Sequence, residues 1–193
     1  MQTIICITTR EYMVRGDCME LIEGLKTRRS IRSYQDKEVP DSLIEELLEI
    51  ARWAPSATNN QPWRFVVIKD KKRKASLRGG LRDALISFSK HILEAPVVIA
   101  AWYSPSLVVK QFQVSDVSNA LIYLLLAAHA EGLGTCWIGW FSENRVKKVL
   151  NLPRKAKVVA LITLGYPNTI PEPKKRKSVE EIAYREMYDE KWY

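Results

Sequence analysis

Four short apolar runs, separated by helix-length segments, constrain the fold of this chain more than any other feature. The runs cover residues 65–68, 96–102, 135–141 and 158–165, and β-branched and aromatic side chains are frequent in them. Runs of this length and composition predict strands. Strands that alternate with helices predict a sheet with helices on both faces. We therefore expect an α+β fold around a central mixed or antiparallel β-sheet flanked by helices.

Capping residues and prolines define the helices between these runs. Ser42 and Glu45 have the spacing of a capping box, and Pro55 ends the apolar pattern that follows them. The same spacing, at Asp17 and Glu20, precedes a short helix that ends near Lys26. Further helices are predicted loosely within residues 71–93, and more clearly over 116–131, 142–150 and 178–188. Gly132 follows the helix over 116–131, where it predicts a helix end.

The length and the cysteine content indicate one domain without a disulfide framework. The 193 residues fit a single domain, and Met13 and Met19 are both plausible alternative starts. We therefore treat residues 1–18 as an N-terminal extension and residues 19–193 as the domain, with a C-terminal helical arm. Three cysteines without close pairing indicate neither disulfides nor a zinc site, and no signal peptide is recognisable. These features favour the cytoplasm.

The net charge of +8 raises the question of a polyanionic partner. Eight basic residues lie in the clusters 71–74 and 174–177. A nucleic-acid-binding module would interleave exposed aromatic residues with such charge, whereas Trp53, Trp63 and Trp102 lie in contexts typical of a core. No apolar run reaches the roughly 18 residues of a membrane span. The sequence favours neither a nucleic acid nor a membrane as partner, and the binding module stays an alternative.

Residues able to perform acid–base or nucleophilic chemistry unaided are scarce. The only histidines, His91 and His129, lie in apolar or helical stretches, where packing is the more frequent role. No catalytic triad, metal-ligand spacing, Gly-x-Gly-x-x-Gly motif or Walker loop is present. Cys136 lies in a strand-like run and is expected to be buried. This scarcity favours a protein whose reactive group is a bound cofactor, with no catalytic side chain and no metal.

Two segments suit such a cofactor. Residues 28–32 carry three arginines and a serine, which match phosphate, although basic residues after a helix are often only solvated. Residues 54–63 form a proline-stiffened loop, rich in hydrogen-bonding groups, that suits a flat heterocycle; an ordinary turn is the alternative.

Together the two segments resemble the N-terminal motifs of the nitroreductase family of flavoproteins. The family pattern is a basic Arg-Arg-Ser-x-Arg segment, a helix, then Pro-Ser-x-x-Asn-x-Gln-Pro-Trp and a strand. Residues 132–139 and 173–176 resemble later segments of the family, so the likeness covers roughly residues 19–177 in the right order. The resemblance implies FMN as cofactor, NADH or NADPH as reductant, and a homodimer with intertwined termini.

Position by position, the resemblance also implies roles for individual residues. Arg28, Arg29 and Ser30 would hold the FMN phosphate and ribityl chain, and Arg32 would lie near the N1/O2 edge of the ring as electrostatic support. The remaining residues would act in three sets: Lys174 and Arg176 on the same phosphate; Pro55, Ser56 and Asn59 on the ring from the neighbouring subunit; and the backbone N–H groups of Gly139 and Trp140 at the N5/O4 side. Trp137 or Trp140 could also stack on the acceptor, and packing in the core is the alternative role for both.

The implied activity is a ping-pong transfer of hydride from NAD(P)H, through flavin N5, to a nitroaromatic, a quinone or a similar acceptor. Two departures from better-known bacterial members bear on the acceptor. Residues 70–95 and 103–115 are short where larger members carry a lid, and Gly139 stands where glutamate is frequent. A specialised relative, such as a reductive dehalogenase or a flavin-processing enzyme, stays an alternative.

Overall fold

The computed structural model describes residues 19–78 and 90–193. The extension expected at residues 1–18 lies outside this part. The six α-helices of the described part are α1 (Leu21–Thr27), α2 (Asp41–Ala51), α3 (Lys71–Arg78), α4 (His91–Glu94), α5 (Gln113–Ala130) and α6 (Glu143–Leu150). The strands are β1 (Arg64–Ile68), β2 (Val97–Tyr103), β3 (Gly134–Ile138) and β4 (Lys157–Gly165). All four predicted strands are confirmed.

The four strands form one sheet in the order β1-β2-β4-β3, and every neighbouring pair is antiparallel. The α+β fold is therefore confirmed, and the antiparallel alternative is the correct one. A register shift between Ala101 and Trp102 marks a bulge in the central β2–β4 pair. One isolated parallel bridge, Ser30 to Thr135, brings the basic segment to the start of β3.

Helices cover both faces of the sheet. Val97, Ile99 and Ala101 of β2 point into a core shared with α2 and α5. Val98 and Ala100 point into a second core, on the other face, with residues from α3, α4 and α6. Because successive side chains of a strand alternate between faces, a continuously apolar β2 supplies both cores. Helix α5 contributes most to the first core, through Leu121, Leu124 and their neighbours.

Local sequence accounts for the ends of the helices. Pro40, and not Ser42, is the N-cap of α2, and no side-chain cap is formed there. Its φ is fixed by the ring, so it suits the residue that enters a helix. The predicted Ser42–Glu45 capping box was therefore placed two residues too late. Gly132, with φ +72°, ends α5 as predicted, because glycine adopts this left-handed conformation without a Cβ penalty.

Two further predictions were wrong. The C-terminal helix over 178–188 is a single 3₁₀ turn, Val179–Glu181, although the Ser178–Glu181 capping box is present. Val179 and Ile182 stay more than half exposed, so the segment lacks the apolar packing that stabilises most short helices. Trp53 is 74% exposed and not part of the core, whereas Trp63 is buried as expected.

No helix in residues 19–78 or 90–193 is long and apolar enough to cross a membrane.

Candidate functional site

The basic segment is held against the start of β3. Ile31 N–H donates to the Thr135 carbonyl at 2.8 Å, next to the Ser30–Thr135 bridge. Gly134 makes this approach possible, because a Cβ there would lie 2.6 Å from Ile31 Cγ1. Tyr34 fixes the other end of the segment, since its buried hydroxyl contacts the Ile31 carbonyl at 2.8 Å and Thr163 Oγ1 at 2.7 Å. Burial raises the pKa of Tyr34 far above its ordinary value.

Three arginines meet at this segment. Arg28 follows the last residue of α1, and Arg29 donates through Nη1 to the carbonyls of Lys26 and Arg28, at 2.7 Å and 2.9 Å. Burial lowers the pKa of Arg28, and the neighbouring charges of Arg176 and Arg29 lower it further. The charge of Arg176 therefore acts on Arg28 although the two residues are distant in sequence. Arg28, Arg29 and Arg176 are called the arginine cluster below.

The C-terminal residues predicted for the phosphate reach this cluster unequally. Arg176 interacts electrostatically with Arg28, and its Nη1 donates to the Lys174 carbonyl at 3.2 Å. The Lys174 side chain is exposed. Arg32 is exposed beside Ser30, whose carbonyl accepts from Arg32 Nη1 at 3.4 Å. Burial raises the pKa of the Cys136 thiol, and the charges of Arg32 and Arg28 offset part of that rise.

His129 also belongs to this region, which sequence reasoning missed. Its Nε2 lies 2.9 Å from Thr27 Oγ1, and its pKa is lowered by burial and by the charges of Arg28 and Arg29. The sequence places His129 in the last turn of α5, six residues before Thr135. Because Thr135 pairs with Ser30, His129 lies near the arginine segment.

The polar loop, residues 55–61, has an unusual backbone. Thr58, Asn59 and Gln61 all have positive φ, at 52°, 56° and 46°. Hydrogen bonds within the loop support this conformation: Gln61 N–H donates to Ser56 Oγ at 3.0 Å, and Gln61 Nε2 donates to Asn59 Oδ1 at 3.0 Å. Asn59 is exposed and Ser56 is half-buried. The loop therefore has a defined, hydrogen-bonded conformation that differs from an ordinary type I turn.

Helix α5 is hydrogen-bonded to the loop, which the sequence analysis did not predict. Asp116 Oδ1 accepts from Ala57 N–H at 3.1 Å, and Asn119 Nδ2 donates to the Pro55 carbonyl at 3.3 Å. Asp116 is 4% exposed, so its carboxylate is part of the interior. A buried acid at the start of an apolar helix was the signal that could have identified it.

The remaining predicted residues, Gly139 and Trp140, follow the end of β3 and are exposed. Gly139 lines an open groove of about 350 Å³ with Tyr103, Val114 and Phe141. Within the described ranges, no hydrogen bond joins the loop 55–61 to the arginine cluster. In these ranges one chain therefore places charged groups of Arg28 and Arg176 in electrostatic interaction without hydrogen-bonding them to the polar loop.

The four-stranded antiparallel sheet and the helices on both of its faces define an α+β domain, and comparison with known proteins identifies its family. Residues 25–166 match the sequence profile of the nitroreductase family. The chain belongs to that family, and it is an oxidoreductase.

Two sequence relatives and one solved structure illustrate the proteins that this chain resembles. A Methanothermobacter thermautotrophicus protein with the provisional name NADH dehydrogenase/NAD(P)H nitroreductase is 36% identical over 154 residues, covering 77% of this chain and 78% of the relative. An iodotyrosine deiodinase of Thermotoga neapolitana is 27% identical, covering 85% and 97%. The solved structure of an FMN-dependent nitroreductase from Clostridium difficile aligns with a TM-score of 0.70 at 29% identity, covering 86% and 97%.

Proposed function

We propose that this protein is an FMN-dependent oxidoreductase that takes hydride from NAD(P)H and reduces a nitroaromatic, a quinone or a similar small acceptor. The observation that carries the proposal is the arginine cluster. Two chain segments that are distant in sequence place Arg28, Arg29 and Arg176 together, although their charges repel one another. Such an arrangement suits an anion, and the family and the FMN-dependent relative point to the FMN phosphate.

The residues present fit that phosphate. Arginine offers a rigid fork of donors that matches phosphate oxygens. Ser30, half-buried beside the cluster, adds a hydroxyl, and Lys174 supplies a further cation at its edge. A dianion among these groups would offset the repulsion by Arg176 and Arg29, which lowers the pKa of Arg28 in addition to burial. In this assignment Arg28, Arg29, Ser30, Lys174 and Arg176 bind the phosphate end of the cofactor.

When bound, FMN supplies hydride acceptance and donation at N5. The chain's own part is binding and electrostatics. Arg32 directly follows the buried Ile31 and carries a fixed positive charge. At the N1/O2 edge this charge would stabilise the negative charge that develops during reduction. The loop residues Pro55, Ser56 and Asn59 and the backbone N–H groups of Gly139 and Trp140 would orient the ring.

A homodimer would place the polar loop of one chain beside the arginine cluster of the other. The exposed sides of α1 and α5 form an apolar groove of about 520 Å³, lined by Leu21, Leu25, Tyr123 and Leu126 among others. Contiguous exposed apolar surface is a feature of protein association sites. The C-terminal segment adds further exposed side chains, among them Met187, Tyr188 and Trp192. We propose that a second copy covers both surfaces and that its loop 55–61 completes the flavin site.

Removing the arginine cluster tests the cofactor. We expect Arg28→Ala with Arg176→Ala to weaken FMN binding roughly 100-fold or more, from the loss of charged hydrogen bonds worth about 1.5–3 kcal/mol each. The measurement is quenching of FMN fluorescence on titration with apoprotein. Lys72→Ala with Arg73→Ala removes the same charge from α3 and should bind FMN like the wild type. A wild-type protein that binds no FMN would contradict the proposal itself.

Reductive dehalogenation is a second candidate, favoured by the likeness to the Thermotoga neapolitana iodotyrosine deiodinase. Turnover of the FMN-loaded protein with dithionite or NAD(P)H, compared between 3-iodotyrosine and a nitroaromatic, separates the two. Iodide release at a rate comparable to nitro reduction would favour the dehalogenase. Reduction of the nitroaromatic without iodide release would favour the nitroreductase.

A further inference from the structure

Asp116 occupies a position that stability alone does not explain. It lies in the first turn of α5, is 4% exposed, and uses Oδ1 to accept from Ala57 N–H. Its Oδ2 is buried and has no hydrogen-bond partner among the residues that the structure describes. A buried carboxylate oxygen without a partner destabilises a fold. The neighbouring helix positions that face the core are mostly apolar, so an apolar side chain would suit this one as well.

What Asp116 contacts suggests its purpose. The loop 55–61 has three non-glycine residues in the left-handed region within four positions, Thr58, Asn59 and Gln61. Such residues are unfavourable, and they persist only where the surroundings enforce them. Among the described residues, the Asp116–Ala57 and Asn119–Pro55 hydrogen bonds connect α5 to this loop. Ala57 lies directly between Ser56 and the left-handed residues, so a hydrogen bond to its N–H fixes the backbone beside both.

We propose that Asp116 is a positioning residue for the flavin: through Ala57 it holds Ser56 and Asn59 in the geometry that binds the isoalloxazine ring. This inference rests on the proposed function. Asp116 does not itself touch the cofactor. Its carboxylate fixes a strained loop in advance, so that binding requires less ordering of the loop.

Three variants test this proposal. Asp116→Ala removes the acceptor, and we expect FMN to bind about 10-fold or more weakly, with a less resolved visible flavin absorption band. Asp116→Asn retains an amide oxygen for Ala57 N–H in a side chain of the same shape. It should recover most of the affinity and the wild-type absorption band. A purely structural role would not couple the flavin spectrum to this substitution.

Lys74→Met is the matched control for loss of stability. Lys74 is also buried, at 3% exposure, and its Nζ donates to the Ala95 carbonyl at 2.6 Å. It lies on α3, which covers the opposite face of the sheet from α5. This variant should lower the Tm and leave FMN affinity and spectrum unchanged.

The outcomes separate this inference from the proposed function. If wild-type apoprotein binds FMN and Asp116→Ala binds it equally tightly, the positioning role is overturned. If Lys74→Met weakens FMN binding as much as Asp116→Ala, general loosening of the fold explains both, and the role is also overturned. If the wild type binds no FMN, the proposed function fails first. Weak binding by Asp116→Ala with rescue by Asp116→Asn supports the inference.

Discussion

At the scale of single residues, His129 connects two helix ends beside the arginine cluster. The Thr27 hydroxyl donates its one proton to the Glu23 carbonyl at 2.7 Å, so it can only accept from His129 Nε2 at 2.9 Å. His129 therefore carries its proton on Nε2 when neutral. Burial and the charges of Arg28 and Arg29 lower its pKa, which means that the folded apoprotein resists a second proton there.

This lowered pKa predicts a pH dependence of stability. Below about pH 6.5 the unfolded chain protonates His129, whereas the folded chain does not until its own lower pKa is reached. The free energy of unfolding should therefore fall as the pH drops through that window. Thermal unfolding of the apoprotein, compared with His129→Gln across this range, measures the effect.

Glutamine keeps an N–H donor for Thr27 but does not titrate, so it is the matched variant. We expect the Tm of His129→Gln to gain on that of the wild type as the solution is acidified. Parallel pH curves for the two proteins would show that His129 contributes nothing to the pH dependence.

At the scale of secondary-structure elements, one glycine sets the distance between the arginine segment and the sheet. A Cβ at Gly134 would lie between 2.6 and 2.9 Å from three atoms of the Ile31 side chain. Ile31 is buried, and its N–H is hydrogen-bonded to the Thr135 carbonyl. The arginine segment therefore cannot accommodate a Cβ at residue 134 without moving away from β3.

Gly134→Ala should therefore lower both stability and FMN affinity. Overpacking of this kind costs about 1–3 kcal/mol, and displacement of Arg28 and Arg29 should weaken FMN binding several-fold. Gly132→Ala is the control: it strains a residue with φ +72° but meets no atom within 4 Å. It should cost about 1 kcal/mol of stability and leave FMN affinity unchanged. Equal affinity for Gly134→Ala and Gly132→Ala would argue against the spacing role.

The elements also show what the sequence could and could not predict. Strands and helices were predicted to within a few residues because apolar periodicity, prolines and Gly132 act locally. The helix over 178–188 was wrong because its apolar side chains find no surface of the same chain, and a capping box alone does not stabilise a helix. The roles of Asp116 and His129 were missed because each depends on contacts between distant segments, with Ala57 and with Thr27.

At the scale of the whole molecule, the proposed homodimer would share each flavin site between two chains. One chain joins Arg28 to Arg176 but, in its described part, does not hydrogen-bond them to loop 55–61. If the partner supplies that loop, each site combines the arginine cluster of one subunit with Ser56 and Asn59 of the other. A dimer of two different variants can reveal such sharing, whereas a dimer of two identical variants cannot.

Mixed dimers test the sharing. One variant carries Arg28→Ala with Arg176→Ala, and the other carries Ser56→Ala with Asn59→Ala; each alone should bind FMN poorly. In a mixed dimer with shared sites, one site collects all the substitutions and the other has none. Co-expression with two affinity tags should therefore give dimers that bind about half the FMN of the wild type, as absorbance and light scattering would show, since the sites are independent. If each site lay within one chain, both sites of the mixed dimer would be damaged and no recovery would occur.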